Sequence, residues 1–156
     1  MTKALAGGCA CGAVRYRLAS APMFTHCCHC LLCQRQTGGG FVIHAMIEAE
    51  RVVLQAGETR GDPAPTGSGA ANAVHRCVAC GTAVWSRYAR APGVCFVKAG
   101  TLDDPAALTP GAHIFVRSKL PWLPLPEATP AFETYYDAAT LWPPESLARR
   151  AAVTAG

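Results

Sequence analysis

The sequence predicts a mainly β fold, built of short antiparallel strands with little helix. Three observations predict it. Short β-favouring runs recur at close spacing, Gly- and Pro-rich breaks separate them, and seven of the nine cysteines fall into tight clusters. Strands this short need fastening, and metal-ligating sulfur at their ends supplies it.

Residues 13–18 alternate apolar and basic side chains, the period of a half-buried strand. Residues 41–47 are β-rich and follow the turn Gly38-Gly39-Gly40, and residues 51–55 form another short strand. Residues 57–69 are rich in Gly, Pro, Ser and Asp and read as a surface loop. Residues 73–76 run into the Cys77 cluster and residues 83–88 run out of it, the two arms of a hairpin; residues 94–99 are a further strand. Asp104 reads as an N-cap with Pro105 at the first helical position, opening a short turn through Leu108. Residues 113–116 read as the last strand. The tail from Leu120 carries Pro121, Pro124, Pro126, Pro130, Pro143 and Pro144 and reads as extended and wrapped on the body, with residues 145–152 as a terminal helix.

At 156 residues with 51% hydrophobic content, the chain reads as one domain, residues 1–156, with a Pro-rich tail over about 120–156. The net charge of +4 comes from scattered Arg and Lys, a pattern that does not point to nucleic acid. Residues 1–8 hold one lysine and no apolar stretch, so no signal peptide is read, and no segment approaches the ~20 apolar residues of a membrane helix. The expected location is cytoplasmic. Thiols stay reduced there, and an odd cysteine count suits a disulfide framework poorly, so the clusters read as metal ligands.

Cys9-Ala10-Cys11-Gly12 and Cys77-Val78-Ala79-Cys80-Gly81 each supply two sulfurs. Two sulfurs do not complete tetrahedral zinc, and four do, so Cys9, Cys11, Cys77 and Cys80 form one closed structural set. Gly12 and Gly81 permit the sharp turns that let each pair converge.

The densest run is Thr25-His26-Cys27-Cys28-His29-Cys30-Leu31-Leu32-Cys33. Cys28, Cys30 and Cys33 are spaced to wrap one ion and leave a position open. On a strand-like segment Cys27 and His29 point away from Cys28 and Cys30. The alternative is a closed site, with Cys27 or a histidine as fourth ligand. Three thiolates donate strongly and weaken zinc as a Lewis acid toward hard groups, so an open position here suits a soft thiol substrate. Arg35 is the nearest cation in sequence to balance the resulting negative charge.

The segments Gly8-Cys9-x-Cys11-Gly12-x-Val14-x-Tyr16, Cys28-His29-Cys30-x-x-Cys33, Cys77-x-x-Cys80-Gly81 and Gly100-Thr101-Leu102-Asp103-Asp104-Pro105 together resemble the glutathione-dependent formaldehyde-activating (GFA) family, which includes the zinc domain of centromere protein V. The resemblance runs over about residues 7–122. It implies a β-tent zinc fold with two zinc ions per chain. It implies a structural ion at Cys9, Cys11, Cys77 and Cys80 and a catalytic ion at Cys28, Cys30 and Cys33, in agreement with the ligand count. The implied activity is that of a carbon–sulfur lyase, joining glutathione and formaldehyde into S-(hydroxymethyl)glutathione. Glutathione and formaldehyde come from the resemblance alone. The family often carries arginine directly after the third cysteine of the triad; here Gln34 stands there, followed by Arg35.

Two classes of function follow. One is a zinc enzyme that adds a thiol to a small aldehyde. The other is a non-catalytic zinc module that binds glutathione or a protein partner. A fourth protein ligand on the triad favours the second, and an open position the first. Of the remaining residues, His44, His75 and His113 read as packed or exposed strand histidines, Cys95 as core, and Asp103 and Asp104 as turn and cap residues. Trp122 reads as a plug in the core.

Overall fold

The computed structural model describes residues 5–155; residues 1–4, part of the segment read as lacking a signal peptide, lie outside the described residues. The fold is mainly β. Strands β1 (Leu5–Gly8), β2 (Arg15–Leu18) and β5 (Val52–Ala56) form a three-stranded antiparallel sheet in the order β1-β2-β5. The second sheet holds β3 (Phe24–Cys28), β4 (Val42–Glu48), β6 (Thr59–Pro63), β7 (Asn72–Cys77), β8 (Ala83–Tyr88), β9 (Val94–Lys98), β10 (His113–Ile114) and β11 (Ala131–Phe132). Its order is β11-β10-β3-β4-β9-β8-β7-β6. Every pairing is antiparallel except those of β10 with β3 and with β11.

Strand alternation divides the core between the two faces of this sheet. Ala45 and Ile47 of β4 join Cys95 and Val97 of β9 on one face. They pack against Val14, Tyr16 and Leu18 from the small sheet. Val42 and Met46 turn to the other face, where they meet Cys28, Cys33, Ile114, Tyr136 and Trp142. The C-terminal tail covers that second face. Helix α2 (Ala138–Leu141) and helix α3 (Pro144–Thr154) follow β11, and Trp142 stacks on Phe24 at 5.3 Å.

Several sequence expectations change. Residues 57–69 are not all loop, because Thr59–Pro63 pairs with β7 as the edge strand of the sheet. Gly and Pro in a polar segment are compatible with an edge, where one side of the backbone needs no partner. The strand read at residues 113–116 stops at Ile114, since Phe115 takes a left-handed φ of 54° and opens a 3-10 turn. Asp104 precedes a one-turn 3-10 helix, Pro105–Ala107, but its side chain makes no capping bond. The tail is wrapped, as read, yet it also contributes β11. Trp122 does not plug the core; it is 73% exposed. Helix α1 (Leu31–Thr37) was not expected at all. No helix among the described residues is long and apolar enough to cross a membrane.

Glu48, at the end of β4, anchors the tail. It is buried, and Arg149 of α3 holds both carboxylate oxygens at 2.7 and 2.6 Å while also donating to Ser20 Oγ and Ala21 O. These bonds outweigh the cost of burial and hold the Glu48 carboxyl below its usual range. A lowered carboxylate pKa stabilises the fold above the unfolded value, and that stability is lost as pH falls through the folded value. Glu48→Gln leaves Arg149 without its charge partner. It should cost about 2–3 kcal/mol in urea unfolding at neutral pH and flatten the acid limb of the stability–pH curve.

Candidate functional site

Two turns of the same design bring four sulfurs together. Cys9 N–H donates to Val14 O and Gly12 N–H to Cys9 O; likewise Cys77 N–H donates to Thr82 O and Gly81 N–H to Cys77 O. Gly12 and Gly81 hold φ of 79° and 75°, the left-handed conformation both turns require. The Thr82 hydroxyl joins the turns by accepting from Ala10 N–H at 3.2 Å. Cys9, Cys11, Cys77 and Cys80 then place their sulfurs within 4.8 Å of one another, with Cys9–Cys11 at 3.4 Å and Cys11–Cys77 at 3.9 Å. Tetrahedral zinc–thiolate bonds of 2.3 Å put sulfurs about 3.8 Å apart, so the set fits zinc. Hydrogen bonds from the Thr82 hydroxyl and N–H lower the Cys80 thiol to about 5. A thiolate is the form a metal binds.

The second set forms where β3 meets α1. Cys28 is the last residue of β3, and Cys30 is the N-cap of α1, its sulfur accepting from Cys33 N–H at 3.3 Å. One helical turn later Cys33 points back to the cap, so Cys28, Cys30 and Cys33 lie within 4.8 Å of one another. Gly38, at φ 68°, closes the helix in a left-handed C-cap. Cys30 ionises most readily. Bonds from Cys28 and Cys33 hold its thiol far below the usual range, while Cys28 is pushed up, first by its bond to Cys30.

Neither Cys27 nor His26 nor His29 joins this triad. Cys27 and His29 lie with His113 in a separate group, and His26 bonds Tyr136 Oη through Nδ1 at 2.9 Å. Gln34 donates to the carbonyls of His29 and Ser118, tying α1 to the turn after β10.

The triad has neighbours the sequence did not advertise. His44 and Lys98 sit opposite each other on β4 and β9, and His44 Nε2 lies 3.9 Å from Cys33 Sγ. Burial, then the Lys98 charge, keeps His44 neutral, and burial brings His26 down to about 3. Lys98 is 6% exposed, and among the described residues its ammonium bonds only Ser86 Oγ, at 3.4 Å. Burial opposes its charge; Cys33 supports it. Burial pushes Tyr88 up, so it keeps its phenolic proton. Arg35, the cation nearest in sequence, lies on the exposed side of α1.

The sequence pattern of the glutathione-dependent formaldehyde-activating enzymes matches residues 4–118. This chain belongs to that family. A GFA-type protein of Halomonas elongata, named provisionally as a glutathione-dependent formaldehyde-activating enzyme, is 28% identical over 124 residues, covering 76% of this chain and 79% of the relative. A crystal structure of a Rhodobacter sphaeroides protein is similar at 21% identity with a TM-score of 0.48, covering 63% of this chain and 87% of that one. All seven sulfurs of the two sets lie inside the family match.

The buried Lys98 charge favours ionised sulfur beside it. Lys98→Met should therefore raise the pH at which the metal-free triad ionises. The pH–rate profile for alkylation of Cys33 by iodoacetamide, followed peptide by peptide, should move to higher pH, while that of Cys80 stays in place.

Proposed function

We propose that this GFA-family chain is a zinc-dependent carbon–sulfur lyase. It joins a thiol, glutathione, to formaldehyde or a related small aldehyde, giving S-(hydroxymethyl)glutathione. One observation carries the reading: the triad of Cys28, Cys30 and Cys33 gathers without a fourth protein ligand among the described residues, beside a buried cation. The family membership and the name of the Halomonas elongata relative support the two substrates.

The donor chemistry of both cysteine sets fits zinc. Cys9, Cys11, Cys77 and Cys80 form a closed structural site, and Cys28, Cys30 and Cys33 a site with room for substrate. Zinc on three thiolates supplies one thing in particular, stabilisation of the substrate sulfur as thiolate at neutral pH.

The chain's own residues do the rest. Three cysteine thiolates, a divalent ion and a substrate thiolate sum to −2, and Lys98 brings the face to −1. The substrate sulfur forms the new C–S bond at the carbonyl carbon, and the carbonyl π pair moves to oxygen. Lys98 donates the proton that completes the hydroxymethyl group and recovers the proton that the incoming thiol loses as it binds, so no net proton is consumed. His44, neutral beside Cys33, adds no competing charge. The reverse cleavage of a hemithioacetal uses the same groups.

Cys30→Ala should lose one zinc equivalent by metal analysis, glutathione binding by calorimetry, and hydroxymethyl-thiol formation above the spontaneous rate. Persistent glutathione binding after that zinc is lost would overturn thiolate stabilisation at the triad. Binding by the wild type with no rate above background would assign the chain to the non-catalytic class. Cys77→Ser should act differently. It should release the other zinc and lower unfolding stability by several kcal/mol, because the ion joins two turns distant in sequence.

A further inference from the structure

Cys27, His29 and His113 form a third cluster, on the opposite face of β3 from the triad. Strand pairing explains why. In the parallel pair of β3 and β10, Cys27 stands directly opposite His113, so both side chains leave the same face. His29 is two residues beyond Cys27 and returns to that face. The backbone holds all three in place: Cys27 N–H donates to Ala112 O, His29 N–H to Ile114 O and His113 N–H to Pro130 O. The side chains are buried, at 2, 0 and 8% exposure.

Their donor atoms converge. Cys27 Sγ lies 3.5 Å from His29 Nε2, which lies 3.0 Å from His113 Nδ1, and one donor atom from each residue falls within 4.8 Å of the other two. Hydrogen bonding alone serves this arrangement poorly. His29 Nε2 carries either one proton or one lone pair, yet it faces two partners. The other nitrogen of the ring, Nδ1, is buried with no partner among the described residues, so no bond elsewhere fixes the ring. An ion at the centre accepts all three lone pairs at once.

We infer that Cys27, His29 and His113 form a further metal site, distinct from both cysteine sets, for a thiophilic ion of the zinc class. One thiolate and two imidazoles without a carboxylate select a borderline-soft transition metal over calcium or magnesium. Zinc bonds of 2.0–2.3 Å place such donors about 3.3–3.6 Å apart, so the ion needs the two imidazole nitrogens to separate by about 0.3 Å and Cys27 Sγ and His113, now within 4.8 Å, to stand about 3.6 Å apart. The ion clamps β10 to β3 and holds the backbone of His29, the residue between Cys28 and Cys30, from behind the triad.

The test uses the full chain loaded with cadmium-113 as a zinc probe. The wild type should give three resonances, one of them shifted upfield as one sulfur and two nitrogen ligands require. His113→Gln and Cys27→Ser should each lose that resonance alone and keep the other two, which report the cysteine sets and the fold. Zinc-loaded protein should carry one equivalent more than either variant. Two resonances in the wild type, or an upfield resonance that survives both substitutions, overturn this site. Loss of the downfield pair instead overturns the cysteine sets and leaves this inference standing.

Discussion

The chemistry of this protein depends on the alternation of side chains along β3. A strand presents successive residues to opposite faces, and a slip of one residue exchanges them. His26 and Cys28 therefore share a face with His44 and Lys98, while Cys27 leaves toward His113. The register is held from both sides. β4 pairs with β3 from Phe24 against Met46 to Cys28 against Val42, and β10 adds backbone bonds along its other edge. Gly111 contributes through its size. A Cβ there would stand 2.8 Å from the Phe24 ring, so only glycine lets the strand entering β10 come this close.

The triad face gathers groups that are costly to bury singly and compatible together. A buried lysine without a partner loses its charge or destabilises the fold, and three adjacent thiols resist a second and third ionisation. Beside each other the demands oppose: the bond to Cys28 and the Lys98 charge ease ionisation of Cys33, although Cys30 and burial still push its thiol up to about 12, and Cys33 supports the charge on Lys98. The two histidines on this face stay neutral through burial and add no positive charge to compete with Lys98. Such an arrangement suits a reaction in which negative charge passes from sulfur to oxygen, since a single cation serves both positions.

The sulfur clusters were legible because cysteine spacing is a local property. Glycines at Gly12 and Gly81 marked the turns that close the four-sulfur set, and alternation alone separated Cys27 and His29 from Cys28 and Cys30. Helix α1 was missed because its N-cap is a cysteine, outside the Ser, Thr, Asp and Asn set, although Leu31 to Gln36 are mostly good helix formers and Gly38 is an ordinary stop. Lys98 was missed for a different reason. Val94, Phe96 and Lys98 face one way on β9, and no single strand shows that its last inward position meets sulfur from another. His113 was read as packed or exposed, and it is packed; its neighbours depend on a parallel pairing that sequence does not reveal.

The tail makes this site more than the shared pattern of its family. The match to the family ends at residue 118, and every triad sulfur lies before it. The wall over His26 comes from beyond. Tyr136 accepts from Trp142 Nε1 and bonds His26, and Tyr135 packs edge-on to the same imidazole. Glu48 and Arg149 fasten that segment to the end of β4, the strand that carries His44 beside Cys33. On the proposed function, the sulfurs set which atom of a substrate is held, whereas the aromatic wall sets what the rest of the substrate must resemble. On the same reading, relatives that carry the seven cysteines but not this tail would share the thiol chemistry without sharing the shape of the space around it.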